Sequence, residues 1–233
     1  MKYSHFILIP LIGLAACDDG KIYPEEYVDE ISGREIILNA DFIHVDQWPA
    51  NSSRQLVLAG YKDDDRTPLI SVTIPKPEKE GGSVSLTVRV PEEVNRISIA
   101  ELNRTRLLQF QYYSYTLSGS GPLTLPVQSI DLKKFNHVQE IFNASCIICH
   151  GGNNSAAANL YLTEGKSYEA LVNRNATKSP DNDLLVKPAD HESSFLYKVL
   201  NDNVVQFPHS SISTLTTENK TSINTWIDEL ENE

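Results

Sequence analysis

Ser83-Val84-Ser85-Leu86-Thr87-Val88-Arg89-Val90 is the stretch from which the fold can be read outward. Val84, Leu86, Val88 and Val90 alternate with Ser85, Thr87 and Arg89. A period of two separates an apolar from a polar face only when the chain is extended. The stretch therefore predicts a half-buried strand. On either side, segments 35–42, 55–61, 68–74, 97–102 and 107–117 are similarly rich in Val, Ile, Leu, Tyr and Thr. Turn-forming residues separate them: Lys62-Asp63-Asp64-Asp65, Pro75-Lys76-Pro77, Glu80-Gly81-Gly82 and Pro91-Glu92-Glu93. Six short strands in this span predict an all-β sandwich over residues 34–129, of immunoglobulin-like type. The span has no cysteine pair to mark that topology.

Beyond Ser129 the period changes. Leu132, Phe135, Val138, Ile141 and Phe142 recur at helical spacing, and 168–172 and 193–200 read as shorter helices. A last helix begins near Thr216 or Thr217, good N-cap residues. Ile223, Trp226, Ile227 and Leu230 form its apolar stripe. The expected organisation is multidomain: an all-β domain at 34–129 followed by an all-α domain at 130–233.

The chain has 233 residues, 40% of them hydrophobic and 22% charged, enough apolar material for a core and too much for a disordered chain. The net charge of −11 repels phosphate backbones and argues against nucleic-acid binding. Residues 1–16, MKYSHFILIPLIGLAA, have the positive start, short apolar run and small terminal residues of an export signal. Leu14-Ala15-Ala16-Cys17 resembles a bacterial lipobox. That resemblance implies an acylated Cys17 as the first mature residue, followed by an acidic linker over 17–33 and a membrane anchor. The implied location is the cell envelope, at the outer membrane or cell surface, with the periplasmic face of the inner membrane as the alternative.

The first long helix runs into Cys146-Ile147-Ile148-Cys149-His150, the C-x-x-C-H of c-type haem attachment. Residues three and four apart share one side of a helical turn. Two thiols can then form thioethers with the two vinyl groups of one haem, and the imidazole of His150 can take the iron. Rival readings of the pair are a thioredoxin-like redox motif, a zinc site recruiting His137, His191 or His209, and a plain disulfide. The redox motif wants a strand before it, and the zinc site lacks a second cysteine pair.

Around the motif, residues 132–233 resemble a small monohaem cytochrome c domain of bacterial lipoproteins. The resemblance is carried, in order, by Phe135 to Phe142, Cys146 to Gly151, Leu160-Tyr161-Leu162, Tyr168 to Val172, Val186-Lys187-Pro188, Ser194 to Tyr197 and Trp226-Ile227. It implies one covalent haem c, and first and last helices that cross near it. In many such domains a Met before Pro supplies the sixth iron ligand. Here the matching place reads Gln206-Phe207-Pro208-His209, and the only methionine is Met1. His209 is the nearest substitute. A vacant sixth position is the other option, and His191, His137, His44 and Lys198 are weaker candidates.

The function expected on these grounds is one-electron transfer at a cell envelope, with an unknown redox protein as partner and a membrane held through acylated Cys17. Two alternatives stand beside it. One is a haem-based gas or redox sensor, or small-ligand binder, with an open sixth position. The other is an envelope binding protein acting through the sandwich. The Asp63-Asp64-Asp65 run reads as a solvated turn before it reads as a calcium site.

Overall fold

A computed structural model describes residues 33–49, 53–152 and 155–231. The expected signal, Cys17 and nearly all of the acidic linker lie outside them.

Among the described residues, eight strands precede five short α-helices. β1 (Gly33–Ile43) pairs antiparallel with β4 (Gly82–Pro91), setting Ile36 opposite Val88, Leu38 opposite Leu86 and Ala40 opposite Val84. Two short strands, β7 (Leu123–Thr124) and β8 (Ser129–Asp131), run parallel to β1. The second sheet is wholly antiparallel, in the order β3 (Ile70–Thr73), β2 (Arg54–Tyr61), β5 (Arg96–Asn103), β6 (Leu108–Thr116). The alternation of 83–90 does what its period requires: Val84, Val88 and Val90 are buried, and Ser83, Ser85, Thr87 and Arg89 face solvent.

Leu56, Leu58, Ile97, Ile99 and Phe110 from the second sheet share one core with Ile36, Leu38, Phe42 and Val88 from the first. On its opposite face the second sheet carries a smaller cluster of Val57, Ala59, Tyr61, Ala100, Leu102 and Leu108. The loop after β2 ties to this side, with Leu108 N–H donating to the Arg66 carbonyl at 3.0 Å.

The helices are α1 (Lys134–Ser145), α2 (Ile147–His150), α3 (Ser167–Leu171), α4 (Phe195–Asp202) and α5 (Thr217–Glu229). Thr216 caps α5, its hydroxyl accepting from the Asn219 N–H at 3.2 Å. Such a cap satisfies a backbone donor that the helix itself leaves orphaned. The apolar stripe of α5 is buried, with Ile223, Trp226 and Ile227 all at most 4% exposed.

The expectation of an all-β domain followed by an all-α, cytochrome c-like domain is overturned. Residues Ile31–Glu233 form one compact unit of mixed α and β structure. The reason lies in the packing. The core that holds Ile36 and Phe42 continues without interruption through Leu132, Val138, Phe142, Leu196, Ile223 and Ile227. β8 leads into α1 across only Leu132 and Lys133, so the change of period at Ser129–Asp131 is a turn inside one core. The helical half is not purely helical either: isolated bridges join Val172 to Val186 and Asn175 to Leu184. The immunoglobulin-like expectation falls with it, because β7 and β8 pair parallel to β1 in a mixed sheet.

Two devices join helices to strands. α5 lies along the edge of β6, where Thr225 Oγ1 donates to the Gln109 carbonyl at 2.7 Å and Gln111 N–H donates to Ser222 Oγ at 3.2 Å. Side chains of the helix thereby satisfy backbone groups that an edge strand leaves open. The second device is centred on Glu101 of β5, whose side chain is 1% exposed. It receives Lys134 Nζ of α1 at 2.7 Å, Tyr112 Oη of β6 at 2.5 Å and Arg54 Nη1 of β2 at 3.4 Å. Lys134 and Arg54 also reach Glu229 near the end of α5. Burial raises the Tyr112 phenol well above its ordinary range, and the Glu101 charge adds to that. The carboxyl group lies between two cations, which is the condition under which a buried charge is tolerable.

Candidate functional site

The site is built from the C-terminal end of α1 outward. Phe142, buried at 1% exposure, fixes that end in the core, and its carbonyl accepts from the Cys146 N–H at 2.8 Å. The chain turns at Cys146 and re-enters a helix as α2. The His150 and Cys149 N–H groups both donate to the Cys146 carbonyl, at 2.9 and 3.2 Å. Cys146, Cys149 and His150 thus lie on one tight turn, as the spacing requires. Neither Cys146 nor Cys149 is joined in a disulfide. Cys149 is exposed; Cys146 is half-buried, and burial pushes its thiol up to about 11.

His150 is held by the strand-like segment after the motif. Leu162 N–H donates to the His150 carbonyl at 2.8 Å, and His150 Nδ1 donates to the Leu160 carbonyl at 3.3 Å. Buried Gln139 of α1 pins the same segment, its Nε2 donating to the Leu162 carbonyl at 2.9 Å, and Ser167 Oγ donates to Gln139 Oε1. Burial of the ring lowers the His150 pKa; the Leu160 carbonyl opposes this, and the nearby His209 adds to it. A neutral imidazole is the form that binds metal.

His209 opens a short 3-10 turn, His209–Ser211, after Pro208. Its Nδ1 donates to the Phe207 carbonyl at 2.9 Å, and its ring meets the edge of the Phe207 ring at 5.1 Å. The turn is tied back to the end of α4 by Ser210 Oγ donating to Asn203 Oδ1 at 2.7 Å. Asn203 itself takes the left-handed conformation, φ 51°, that ends α4.

The His150 and His209 imidazoles are close neighbours, with ring centroids 6.2 Å apart and planes inclined by 31°. A carbonyl on Nδ1 selects the tautomer whose Nε2 carries the free lone pair. His209 has this arrangement; the His150 ring meets a second backbone carbonyl, that of Ala157, besides that of Leu160. A metal–imidazole bond is about 2.0–2.1 Å. With each centroid about 1.1 Å behind its nitrogen, two imidazoles on opposite sides of one ion stand roughly 6.3 Å apart. The observed separation matches that value. Among the described residues no group of three or more His, Cys, Asp or Glu side chains is arranged to hold a metal ion. The pair offers two ligands, the number an iron needs when a porphyrin supplies the other four. Apolar side chains beside the pair are open to solvent: Ile148 is 91% exposed, Phe207 56% and Val204 44%. These residues fit a flat apolar macrocycle.

The other candidate ligands are engaged elsewhere. His191 Nδ1 lies 2.8 Å from both carboxylate oxygens of Asp228, and its N–H also donates to Asp228. His137 Nε2 donates to the Asp131 carbonyl at 2.6 Å, with its ring edge-on to Tyr112. His44 Nδ1 is 2.6 Å from Asp131 Oδ1. Lys198 Nζ is 2.9 Å from Asp183. At 63–65, the carbonyls of Asp63 and Asp65 accept from Arg96 and the Asp63 carboxylate accepts from Asn95. Cys17 lies outside the described residues. The orienting groups that sequence reasoning did not name are backbone carbonyls, of Leu160 and Phe207, and backbone atoms leave no mark in residue identity.

Comparison with protein-family models, with curated proteins and with solved structures returned no match.

Proposed function

We propose that this chain is a lipid-anchored c-type cytochrome that transfers single electrons at a bacterial cell envelope. The observation that carries the proposal is the 6.2 Å separation of the His150 and His209 rings, with Cys146 and Cys149 on the same turn as His150. Cys146 and Cys149 would hold haem c by thioether bonds, one haem per chain. His150 would be the proximal ligand and His209 the distal one. When bound, the iron porphyrin would supply the ferric–ferrous couple, which the polypeptide cannot. The chain would bind the macrocycle and hold both imidazoles, and a pair of imidazole ligands would give a lower potential than His with Met. Acylated Cys17 is the membrane anchor, and an envelope redox protein is the partner.

The test is a pyridine haemochrome spectrum with an intact-protein mass, on material made in a host that matures c-type cytochromes. One covalently added haem and a low-spin spectrum insensitive to carbon monoxide are the expected results. A colourless protein of unmodified mass would remove the proposal. A high-spin, carbon-monoxide-binding spectrum would move it to ligand sensing.

A further inference from the structure

Thirty-one acidic residues face twenty basic ones in this chain, yet among the described residues one cleft of the β-rich half is lined by arginines, hydroxyls and amides and by no carboxylate. It lies on the outer side of the second sheet, and the strand register shows how it is made. Gln55 of β2 stands opposite Leu102 of β5, and Ala59 and Val57 stand opposite Ser71 and Thr73 of β3. Directly opposed residues share a face. Gln55, Ser71 and Thr73 therefore project on the same side, around the apolar floor of Leu102. The rim is the turn between β5 and β6. Asn103 Oδ1 stiffens that turn by accepting from Thr105 N–H, Thr105 Oγ1 and Leu107 N–H at 2.8–3.0 Å. The turn forces Arg106 into the left-handed region, φ 62°, and carries its guanidinium over the sheet to Ser71 Oγ at 3.2 Å. Arg104 lines the same rim. The cavity measures about 310 Å³, at the small end of ligand pockets and suited to one ring-sized molecule.

We propose that this cleft binds a sugar acid, a single saccharide ring bearing a carboxylate. The planar fork of an arginine matches a carboxylate with two parallel hydrogen bonds. Ser71, Thr73 and Gln55 supply both donors and acceptors, as a ring of hydroxyls requires. The missing carboxylates remove the repulsion that most of this acidic surface would impose on an anion. The site shares no residue with the candidate haem ligands and does not depend on the haem reading.

The test is calorimetric titration of the full chain with glucuronate, glucose and inorganic sulfate, with haem content recorded on the same samples. Glucuronate is expected to bind about tenfold more tightly than glucose or sulfate, and Arg106→Gln to lose about tenfold with haem content unchanged. Arg106 also fastens its turn to β3, so Thr73→Val, an exposed change on the sheet surface, is the second variant. It is expected to weaken glucuronate severalfold and leave sulfate unaffected. Equal binding of glucose, equal binding of sulfate, wild-type affinity in Thr73→Val, or no binding of glucuronate would each overturn the proposal.

Discussion

At the scale of single residues, the histidines divide by what holds their second nitrogen. His44 and His191 give Nδ1 to carboxylates and His137 gives Nε2 to the Asp131 carbonyl, whereas His150 and His209 each give Nδ1 to a main-chain carbonyl and bring their ring centroids to 6.2 Å. That difference yields two predictions. His209→Ala in the haem-loaded protein converts a low-spin spectrum to a high-spin one that binds carbon monoxide; an unchanged spectrum would transfer the distal role elsewhere. His209→Met, if the thioether reaches the iron, raises the midpoint potential, as measured by spectroelectrochemical titration.

At the scale of elements, the joint between β8 and α1 rests on Asp131. Desolvation pushes its carboxyl up, but the Lys133 N–H, the Asn136 amide and His44 outweigh it and hold the pKa below its ordinary value. A carboxyl with a depressed folded pKa contributes stability above its unfolded pKa of about 3.9, and that contribution is lost as pH falls through the folded value. Asp131→Asn is therefore less stable than wild type in urea titration at pH 7, and the gap narrows as the titration is repeated below pH 4. The contact of α5 with the β6 edge is tested by Thr225→Val, which leaves the Gln109 carbonyl without its donor. The expected loss is about 1 kcal/mol, read as a lower urea midpoint at unchanged slope.

At the scale of the whole molecule, sheets and helices share one core, and Glu101 binds three strands to two helices through Arg54, Tyr112, Lys134 and Glu229. Removing the carboxylate leaves Lys134 and Arg54 facing each other with only Glu229 between them. Glu101→Ala is expected to cost about 3–5 kcal/mol, the range for breaking a buried ion pair on one side. The shared core also predicts a single unfolding transition in which far-UV circular dichroism and haem absorbance coincide. Two separate transitions would return the strands and helices to separate domains.

Local pattern determined a good deal by itself. The alternation in 83–90 and its neighbours marked six strands, because a period of two is a property of a few adjacent residues. That Cys146, Cys149 and His150 share one turn was legible for the same reason: their spacing fits within one helical turn. The resemblance to monohaem cytochromes, in a chain whose only methionine is Met1, implied His209 as the nearest substitute ligand. Tertiary structure alone decided the rest. That the helices complete the sheets' core depends on Phe142, Ile223 and Ile227 meeting Phe42 and Phe110, contacts across up to about two hundred residues that no local period records. The closeness of His150 and His209 likewise joins residues far apart in the chain, and the groups that orient them are peptide carbonyls, which every residue carries and only the fold can aim.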